Sequence, residues 1–276
     1  MNMSDVAARG LILLGCGRMG SALLEGWLAQ GLPASSVHVT DPNPSARLTE
    51  LADQGLHLNA GLPADAAIAL IAVKPQMMQD ALPGLQQLAG GGTLFVSVAA
   101  GISFEMYEKV LGPAAPIVRA MPNTPAAVGR GITALIGNAR ATAQDVDLAD
   151  ELLQAVGQTV RLDAEDQMDA VVGLSGSGPA YVFNMIEALA AAGEAQGLSP
   201  ELSLHLARAT VAGAGDLAER SDDAPGTLRE NVTSPNGTTY EALKVLMDPD
   251  TGLGPLMSRT VAASADRSRE LGRADD

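Results

Sequence analysis

The stretch LILLGCGRMG at residues 11–20 decides the fold of this chain. A short apolar run leads into G-x-G-x-x-G, and apolar residues at helical spacing, including Leu23 and Trp27, follow it. Such glycines allow a tight turn and close backbone approach, while the start of the helix offers free N–H groups to a pyrophosphate. The pattern therefore predicts a strand, a dinucleotide-binding loop and a helix; the alternative is a glycine-rich structural turn.

Short apolar runs continue to alternate with amphipathic segments as far as Asp163, and this alternation is typical of a doubly wound α/β sheet. The candidate strands are 11–14, 37–40, 67–72, 93–98, 117–119, 132–136 and 159–162. Beyond Asp163 only helices are predicted, at 179–196, 200–220, 225–230, 238–247 and 256–271, with a polar tail over 264–276. We therefore expect an α/β chain with a Rossmann domain over residues 1–163, whose sheet is mostly parallel, and an all-α domain over 164–276.

Composition excludes several classes of function. A formal net charge of −15 argues against nucleic acid or an anionic membrane as partner, because both need clustered Lys and Arg. The single cysteine excludes an internal disulfide, and no apolar run approaches a membrane span. We therefore predict a cytoplasmic protein that acts on a small molecule.

The three histidines, His38, His57 and His205, are scattered along the sequence. None stands beside a nucleophile or at the spacing of metal ligands, so we predict no metal site. If the protein is an enzyme, its chemistry should need neither a histidine base nor zinc.

Asp41 follows the second predicted strand, where an acidic side chain accepts hydrogen bonds from the adenosine ribose and repels a 2′-phosphate. This position favours NAD over NADP. Asn43 and Arg47 follow closely, and an arginine there could receive the phosphate instead. Asp41-Pro42 could also merely end the strand.

Four further segments carry candidate chemistry: AVKP at 72–75, MPNTP at 121–125, GLSGSGPAY at 173–181 and NVTSPNGTT at 231–239. The first two follow strands at the edge where doubly wound sheets bind ligands. The last two begin helices, and the loop at 231–239 offers N–H groups and hydroxyls that suit a carboxylate. Rigid turns and helix caps explain the four segments equally well.

Together, in this order and over essentially the whole chain, these segments resemble the pyrroline-5-carboxylate reductase family. The resemblance implies transfer of a hydride from NADH or NADPH to the imine carbon of Δ1-pyrroline-5-carboxylate, giving L-proline in the last step of proline synthesis. It also implies a homodimer formed through the helical domain, and larger rings of dimers occur in the family. The small-residue runs at 188–193 and 209–215 fit such an interface.

The resemblance also assigns site residues. The implied cofactor contacts are Leu14, Gly15, Cys16, Gly17, Arg18, Met19, Gly20, Thr40, Asp41, Pro42, Asn59, Val73, Lys74, Pro75, Ala99, Ala100 and Gly101. The implied substrate contacts are Ser234, Gly237, Thr238 and Thr239, with Glu165 and Asn231 in support. We assign Thr239 the catalytic role of hydrogen-bonding the ring nitrogen.

One departure concerns Asn236, which replaces the first of two glycines usual in the family. Asparagine is the non-glycine residue that best tolerates a left-handed backbone, so the loop can keep its shape. Two other functions are weighed against this one. A β-hydroxyacid dehydrogenase relative would need a catalytic lysine on the first helix of the second domain, but the only lysines are Lys74, Lys109 and Lys244, and none lies there. A non-catalytic dinucleotide sensor would fit the Asn236 departure.

Overall fold

The computed structural model describes residues 3–273, which form two compact units. The first unit contains the chain up to Gly176 together with the stretch from Ser264 onwards, and the second runs from Ser177 to Ala263. This division by compactness differs from the predicted domains 1–163 and 164–276. It does not test where the domains begin and end, so the boundary after Asp163 stays a prediction.

The first unit is built on one eight-stranded sheet in the order β3-β2-β1-β4-β5-β6-β7-β8. Its strands are β1 (Leu11–Leu14), β2 (Val37–Thr40), β3 (His57–Leu58), β4 (Ile68–Ile71), β5 (Leu94–Ser97), β6 (Ile117–Met121), β7 (Gly131–Gly137) and β8 (Gly157–Arg161). All neighbouring pairs are parallel except β6 and β7. The first six strands have the Rossmann order, and the order reverses between β1 and β4. The predicted Rossmann fold is confirmed.

Two apolar cores lie against the sheet. Leu11 and Leu13 of β1 belong to one cluster, whereas Ile12 and Leu14 belong to the other. Every residue of β1, β4 and β5 is buried, as expected for parallel strands covered on both faces. The Trp27 indole N–H donates to the Leu152 carbonyl at 2.9 Å, so this large side chain is buried with its polar group satisfied.

Among the described residues of the first unit, seven complete helices accompany the sheet: α1 (Met3–Arg9), α2 (Arg18–Ala29), α3 (Ala46–Asp53), α4 (Met78–Ala81), α5 (Phe104–Leu111), α6 (Ala143–Leu153) and α7 (Gln167–Val171). The hydroxyls of Ser45, Ser103 and Thr142 cap α3, α5 and α6. A π-helical turn over 172–176 follows α7. Such turns interrupt a regular helix and are frequent near functional sites.

The second unit consists of helices, as predicted. They are α8 (Gly178–Ala195), α9 (Pro200–Arg220), α10 (Pro225–Asn231), α11 (Thr238–Leu246) and the first part of α12 (Leu253–Arg273). The Ser199 hydroxyl accepts from the Leu202 N–H at 3.3 Å and caps α9. A Cβ on Gly193 of α8 would lie 2.9 Å from the Ser203 Oγ of α9, so the expected close approach of small residues is present at this point.

The polar stretch from Ser264 to Arg273 is not a free tail but the end of α12. Ala265 and Ser268 are buried in the first unit, and the Ser268 hydroxyl donates to Asp169 Oδ1 at 2.6 Å. The rest of the predicted tail, 274–276, lies outside the described residues. Within 3–273, no helix is long and apolar enough to cross a bilayer.

Candidate functional site

The three glycines after β1 have three different surroundings. Gly15 has φ +87, and a Cβ there would lie 2.8 Å from the Val73 side chain. A Cβ on Gly20 would lie 2.4 Å from the Gly15 carbonyl, so Gly20 brings α2 close to the loop. A Cβ on Gly17, the residue that precedes α2, would meet nothing within 4 Å. The loop is tight on the protein side and open at the helix N-terminus, which is the shape a pyrophosphate requires.

Asp41 lies directly after β2 and faces this loop. Its Oδ2 accepts the Cys16 N–H at 2.7 Å, and its Oδ1 accepts the Asn43 N–H at 2.8 Å. The Asn59 side-chain amide clamps the Asp41 backbone, accepting from its N–H and donating to its carbonyl, each at 2.9 Å. Asn59 itself has φ +49. The carboxylate is fixed, and each oxygen retains a lone pair for a further donor such as a ribose hydroxyl.

An apolar cavity of about 470 Å³ adjoins Asp41. Four predicted cofactor residues line it: Leu14, Thr40, Pro42 and Val73. Further lining residues, which the sequence did not single out, are Ala60, Gly61, Leu62, Met77, Asp80, Ala81, Gly84 and Leu85. An apolar slot beside the Asp41 carboxylate has the shape and polarity that suit a flat adenine ring.

The two arginines near the loop differ in what they contact. Arg47 forms a two-point ion pair with Glu25, with Nε to Oε1 at 2.7 Å and Nη2 to Oε2 at 3.3 Å, and it also approaches Glu50. Hydrogen bonding to Glu25 raises the pKa of Arg47. Arg18, exposed in the first turn of α2, makes no hydrogen bond or ion pair with the part of the chain that the structure describes. Arg18 is therefore unpaired among the described residues, whereas Arg47 is engaged by Glu25 in a half-exposed ion pair.

The other predicted cofactor segments follow β4 and β5 at the same edge of the sheet. Lys74 is exposed and precedes the 3-10 turn at 75–77. Ala99 donates its N–H to the Ser97 hydroxyl at 3.3 Å, and Ser97 also bonds the buried Tyr107 hydroxyl. Burial raises the pKa of Tyr107 to about 12, so its hydroxyl stays protonated and structural near neutral pH.

A second cavity, of about 520 Å³, lies beside Gly101 in the first unit. Its wall includes Arg119 and Glu165, which form an ion pair. Glu165 Oε1 also accepts the Phe104 N–H, at the first turn of α5, at 2.8 Å. The Arg119 guanidinium lies over the Phe104 ring, 5.8 Å from its centroid. Glu165, predicted as a supporting substrate residue, thus shares a cavity with Gly101, a predicted cofactor residue.

The segments MPNTP and GLSGSG are joined by Asn123. Its amide donates to the Ser175 carbonyl at 3.1 Å, and its oxygen accepts the Ile132 N–H at 3.0 Å. A Cβ on Gly176 would lie 2.6 Å from the Met121 side chain. This buried asparagine therefore holds the π-helical turn against the end of β6, and its contacts are those of a structural residue.

His38 and His57 are not among the residues that line the two cavities. His38 and His57 stack on the paired strands β2 and β3, with ring centroids 4.2 Å apart. Burial, followed by the neighbouring His57, lowers the pKa of His38. Their arrangement is that of packed surface side chains.

The loop of the second unit lies between α10 and α11. Asn231 ends α10, and the Gly237 N–H donates to the Ser234 carbonyl at 3.0 Å. Asn236 has φ +56, so the expectation that asparagine takes the left-handed backbone here is confirmed. Gly237 precedes α11, and Thr238 and Thr239 open it without a side-chain cap. Their N–H groups have no partner inside the helix and so form an anion-binding end.

The sheet order, the open glycine loop and the fixed aspartate define a dinucleotide-dependent enzyme of the Rossmann class. Residues 165–271 match the family model described as pyrroline-5-carboxylate reductase dimerisation, and residues 10–101 match one described as NADP oxidoreductase, coenzyme F420-dependent. The chain belongs to the pyrroline-5-carboxylate reductase family.

Curated relatives and solved structures support the same family assignment. The pyrroline-5-carboxylate reductase of Pseudomonas aeruginosa is 40% identical, over 95% of this chain and 96% of that protein. That of Pisum sativum is 38% identical, over 98% and 97%. The structure of a pyrroline-5-carboxylate reductase from Coxiella burnetii superposes with a TM-score of 0.88 at 34% identity, over 95% and 98%. A Plasmodium falciparum pyrroline carboxylate reductase with NADP bound gives a TM-score of 0.82 at 28% identity, over 95% and 98%.

Sequence reasoning missed Arg119 and most of the adenine-side cavity. Arg119 stands in the apolar strand IVRAM, and a charged residue inside such a run signals a buried charge that must be paired. The sequence therefore carried a signal for Arg119. The cavity residues at 60–62 and 77–85 carry no comparable pattern, because small and apolar side chains are common in any Rossmann loop.

Proposed function

We propose that this chain reduces Δ1-pyrroline-5-carboxylate to L-proline with NADH. The observation that carries the proposal is the open cradle at Gly17, present in a member of this family. A Cβ there would meet no protein atom within 4 Å, so the glycine reserves space at the start of a 12-residue helix. Other glycines such as Gly90 have the same open surroundings, but Gly17 alone of the G-x-G-x-x-G glycines combines them with the start of a helix that follows the tight turn at Gly15.

The first unit holds the cofactor. The N–H groups at the start of α2 and the Arg18 guanidinium bind the pyrophosphate, Asp41 accepts the ribose hydroxyls, and the apolar slot receives the adenine. Lys74 and the segment 99–101 complete the predicted contacts. When bound, the reduced nicotinamide supplies the hydride that adds to the imine carbon of the substrate ring.

The second unit holds the substrate carboxylate. The N–H groups of Thr238 and Thr239 at the start of α11 attract an anion, with Ser234 and Asn231 nearby in sequence. The Thr239 hydroxyl makes no hydrogen bond within the described residues, so it is available to the ring nitrogen. Positioning of this kind contributes about 7–11 kcal/mol to lowering a bimolecular barrier. A cyclic imine is basic enough to take its proton from water, so no histidine is required.

The two alternative functions differ in what they require. A β-hydroxyacid dehydrogenase needs a lysine on the first helix of the helical unit, but α8 contains none. Lys244 is on α11, where it pairs with Glu241 at 2.7 Å. A non-catalytic sensor would bind the dinucleotide without turning over. Two absorbance assays separate the three functions. In one, the protein is incubated with NADH and pyrroline-5-carboxylate; in the other, with NAD and a β-hydroxyacid. A sensor would turn over neither pair.

We predict a preference for NADH that depends on Asp41, which is fixed by three hydrogen-bonding neighbours while Arg47 is paired with Glu25. Asp41→Ser removes the charge that repels a 2′-phosphate. It should lower the Kd for NADPH relative to that for NADH by about tenfold, which corresponds to about 1.4 kcal/mol. The measurement is direct binding of both cofactors, with kcat/KM as a second readout. An unchanged ratio would mean that another residue, such as Arg18, sets the choice.

We also propose that the chain forms an obligate homodimer through α8 and α9. Each helix leaves several large apolar side chains exposed in the single chain, and α8 buries only Ala190. These exposed residues are Val182, Phe183, Met185, Leu189, Leu202, Leu204, Leu206 and Leu217. An apolar surface of this extent is typical of an interface. Larger assemblies and residence in the cytoplasm stay predictions.

Phe183→Asp should therefore convert the dimer into a monomer, because it places a charge in the apolar surface of α8, where Phe183 is 58% exposed. Sedimentation velocity measures the outcome. Val128→Asp is the matched control, since Val128 is 76% exposed in the first unit and should leave the dimer intact. An active wild-type monomer at nanomolar concentration would contradict the proposal.

A further inference from the structure

Tyr107 carries a buried hydroxyl that the proposed function does not use. It lies on α5, is fully buried, and belongs to the apolar cluster that contains Ile12 and Leu14. The ring of a phenylalanine would fill this core as well, and a hydroxyl buried in it is costly unless it is hydrogen-bonded. What the hydroxyl contributes beyond the ring therefore depends on the group to which it is bonded.

That group is the hydroxyl of Ser97, at the carboxyl end of β5. Ser97 is itself buried and bonds the Tyr107 hydroxyl, while its oxygen also accepts the Ala99 N–H at 3.3 Å. The two hydroxyls and the N–H thus connect α5 to the backbone that follows β5. The contact with Tyr107 holds the Ser97 side chain in the rotamer whose oxygen faces Ala99.

Ala99 begins the segment 99–101, in which all three residues are predicted cofactor contacts. The Val98 N–H still donates to the Ile71 carbonyl of β4, at 3.0 Å, and so continues the pairing of the sheet. The next N–H, that of Ala99, donates to a side chain instead, and Gly101 then turns the chain with φ +77. The Ser97 hydroxyl is therefore the group that holds the segment where it leaves the sheet.

The segment and Asp41 lie on opposite sides of the point where the strand order reverses. Asp41 follows β2, on one side of β1, whereas 99–101 follows β5, beyond β4 on the other side. A Rossmann fold binds the two halves of a dinucleotide on the two sides of this point. With the adenosine half at Asp41, the segment 99–101 lies on the side of the nicotinamide half.

We propose that Tyr107 is a positioning residue for the nicotinamide half of the cofactor: its hydroxyl orients Ser97, which holds the Ala99 N–H and so fixes the segment 99–101 against the nicotinamide riboside. The inference rests on the cofactor binding in the proposed function and involves residues of the first unit alone. Burial raises the pKa of Tyr107 to about 12, so the hydroxyl supplies position and not a proton near neutral pH.

The test compares two ligands that share the adenosine half. NADH contains the nicotinamide riboside, whereas ADP contains the adenosine and two phosphates without it. Tyr107→Phe removes only the hydroxyl and should raise the Kd for NADH by about three- to tenfold, as expected for the loss of one buried hydrogen bond, while the Kd for ADP stays within about twofold. Titration calorimetry on the full chain, without substrate, measures both constants.

Ser97→Ala removes the middle of the chain of hydrogen bonds and should show the same discrimination between the ligands, also if Tyr107→Phe does not fold. The double variant should lose no more than Ser97→Ala, because Tyr107 acts through Ser97. Thr93→Val is the matched control. Thr93 is buried just before β5, at the opposite end of the strand, and its hydroxyl donates to the Ala66 carbonyl at 2.7 Å. Its loss should lower thermal stability but change neither Kd.

Equal weakening of NADH and ADP by Tyr107→Phe would overturn the inference, since it would mean that the hydroxyl serves the fold as a whole. Unchanged affinity for both ligands would overturn it as well, and so would a loss of NADH affinity in Thr93→Val of the same size. Losses that add in the double variant would show that Tyr107 does not act through Ser97. Wild-type protein that binds NADH but does not reduce pyrroline-5-carboxylate would refute the proposed reaction alone, because the inference is tested by binding.

Discussion

Thr239→Val should lower kcat/KM for pyrroline-5-carboxylate by about one to two decades and leave the Kd for NADH unchanged. Valine keeps the shape of threonine and removes one hydrogen bond to a partly charged nitrogen, which contributes about 1.5–3 kcal/mol. Thermal stability measured beside the kinetics shows whether the hydroxyl serves the fold. In the structure Gly237, not Thr239, precedes α11, and no side chain caps that helix.

Thr239→Ser is the matched control, because it keeps the hydroxyl and should retain most of the activity. If Thr239 only capped its helix, Val should instead cost about 1 kcal/mol of stability and leave the kinetics unchanged. A destabilised but fully active Thr239→Val protein would remove the residue from the mechanism. The N–H groups at the start of α11 would then be the contribution of the loop.

Gly17→Ala should raise the Kd for NADH by about 10- to 100-fold and lower the stability by no more than about 1 kcal/mol, the cost of alanine at a helix N-cap. The backbone at Gly17, with φ −69 and ψ −159, is open to any residue, and the added methyl would meet no protein atom within 4 Å. The methyl would instead occupy the space reserved for the pyrophosphate and displace it from charge-assisted hydrogen bonds of about 1.5–3 kcal/mol each. Fluorescence titration and thermal unfolding measure the two quantities.

Gly20→Ala provides the contrast, since its Cβ would lie 2.4 Å from the Gly15 carbonyl. It should destabilise the fold by about 1–3 kcal/mol, as expected for overpacking. Gly90→Ala, where the Cβ also meets nothing within 4 Å, should affect neither quantity. Tight NADH binding by Gly17→Ala would mean that the open space beside α2 is not the pyrophosphate site.

Local patterns predicted the sheet because its strands are short runs of buried aliphatic residues. The run LILL before Gly15 became β1, and the apolar runs at 37–40, 67–72 and 93–98 became β2, β4 and β5. The two-residue strand His57–Leu58 was missed, since two residues cannot show a period of two. Within the sheet, the strand that was missed is the one with too few residues to carry a signal.

Contacts between distant residues were beyond the sequence. The Arg119–Glu165 pair joins residues 46 positions apart, and the contact of Ser268 with Asp169 spans 99 positions. The polar composition of 264–276 predicted an exposed tail. Composition reports the average exposure of a segment and not which face of a helix packs, so the burial of Ala265 and Ser268 was not predictable. The position of Asp41 after β2 was predictable, but its hydrogen bonds with the Asn59 side chain, 18 residues further along, were not.

The most direct test of the central claim follows the hydride itself. The protein is incubated with NADH deuterated at both C4 positions of the nicotinamide and with pyrroline-5-carboxylate, and the product is analysed by mass spectrometry and chiral chromatography. We expect L-proline with one deuterium on the ring carbon next to nitrogen and away from the carboxylate, formed in step with NADH oxidation. Oxidation of NADH without labelled L-proline, or binding without oxidation, would contradict the claim that this chain is a pyrroline-5-carboxylate reductase.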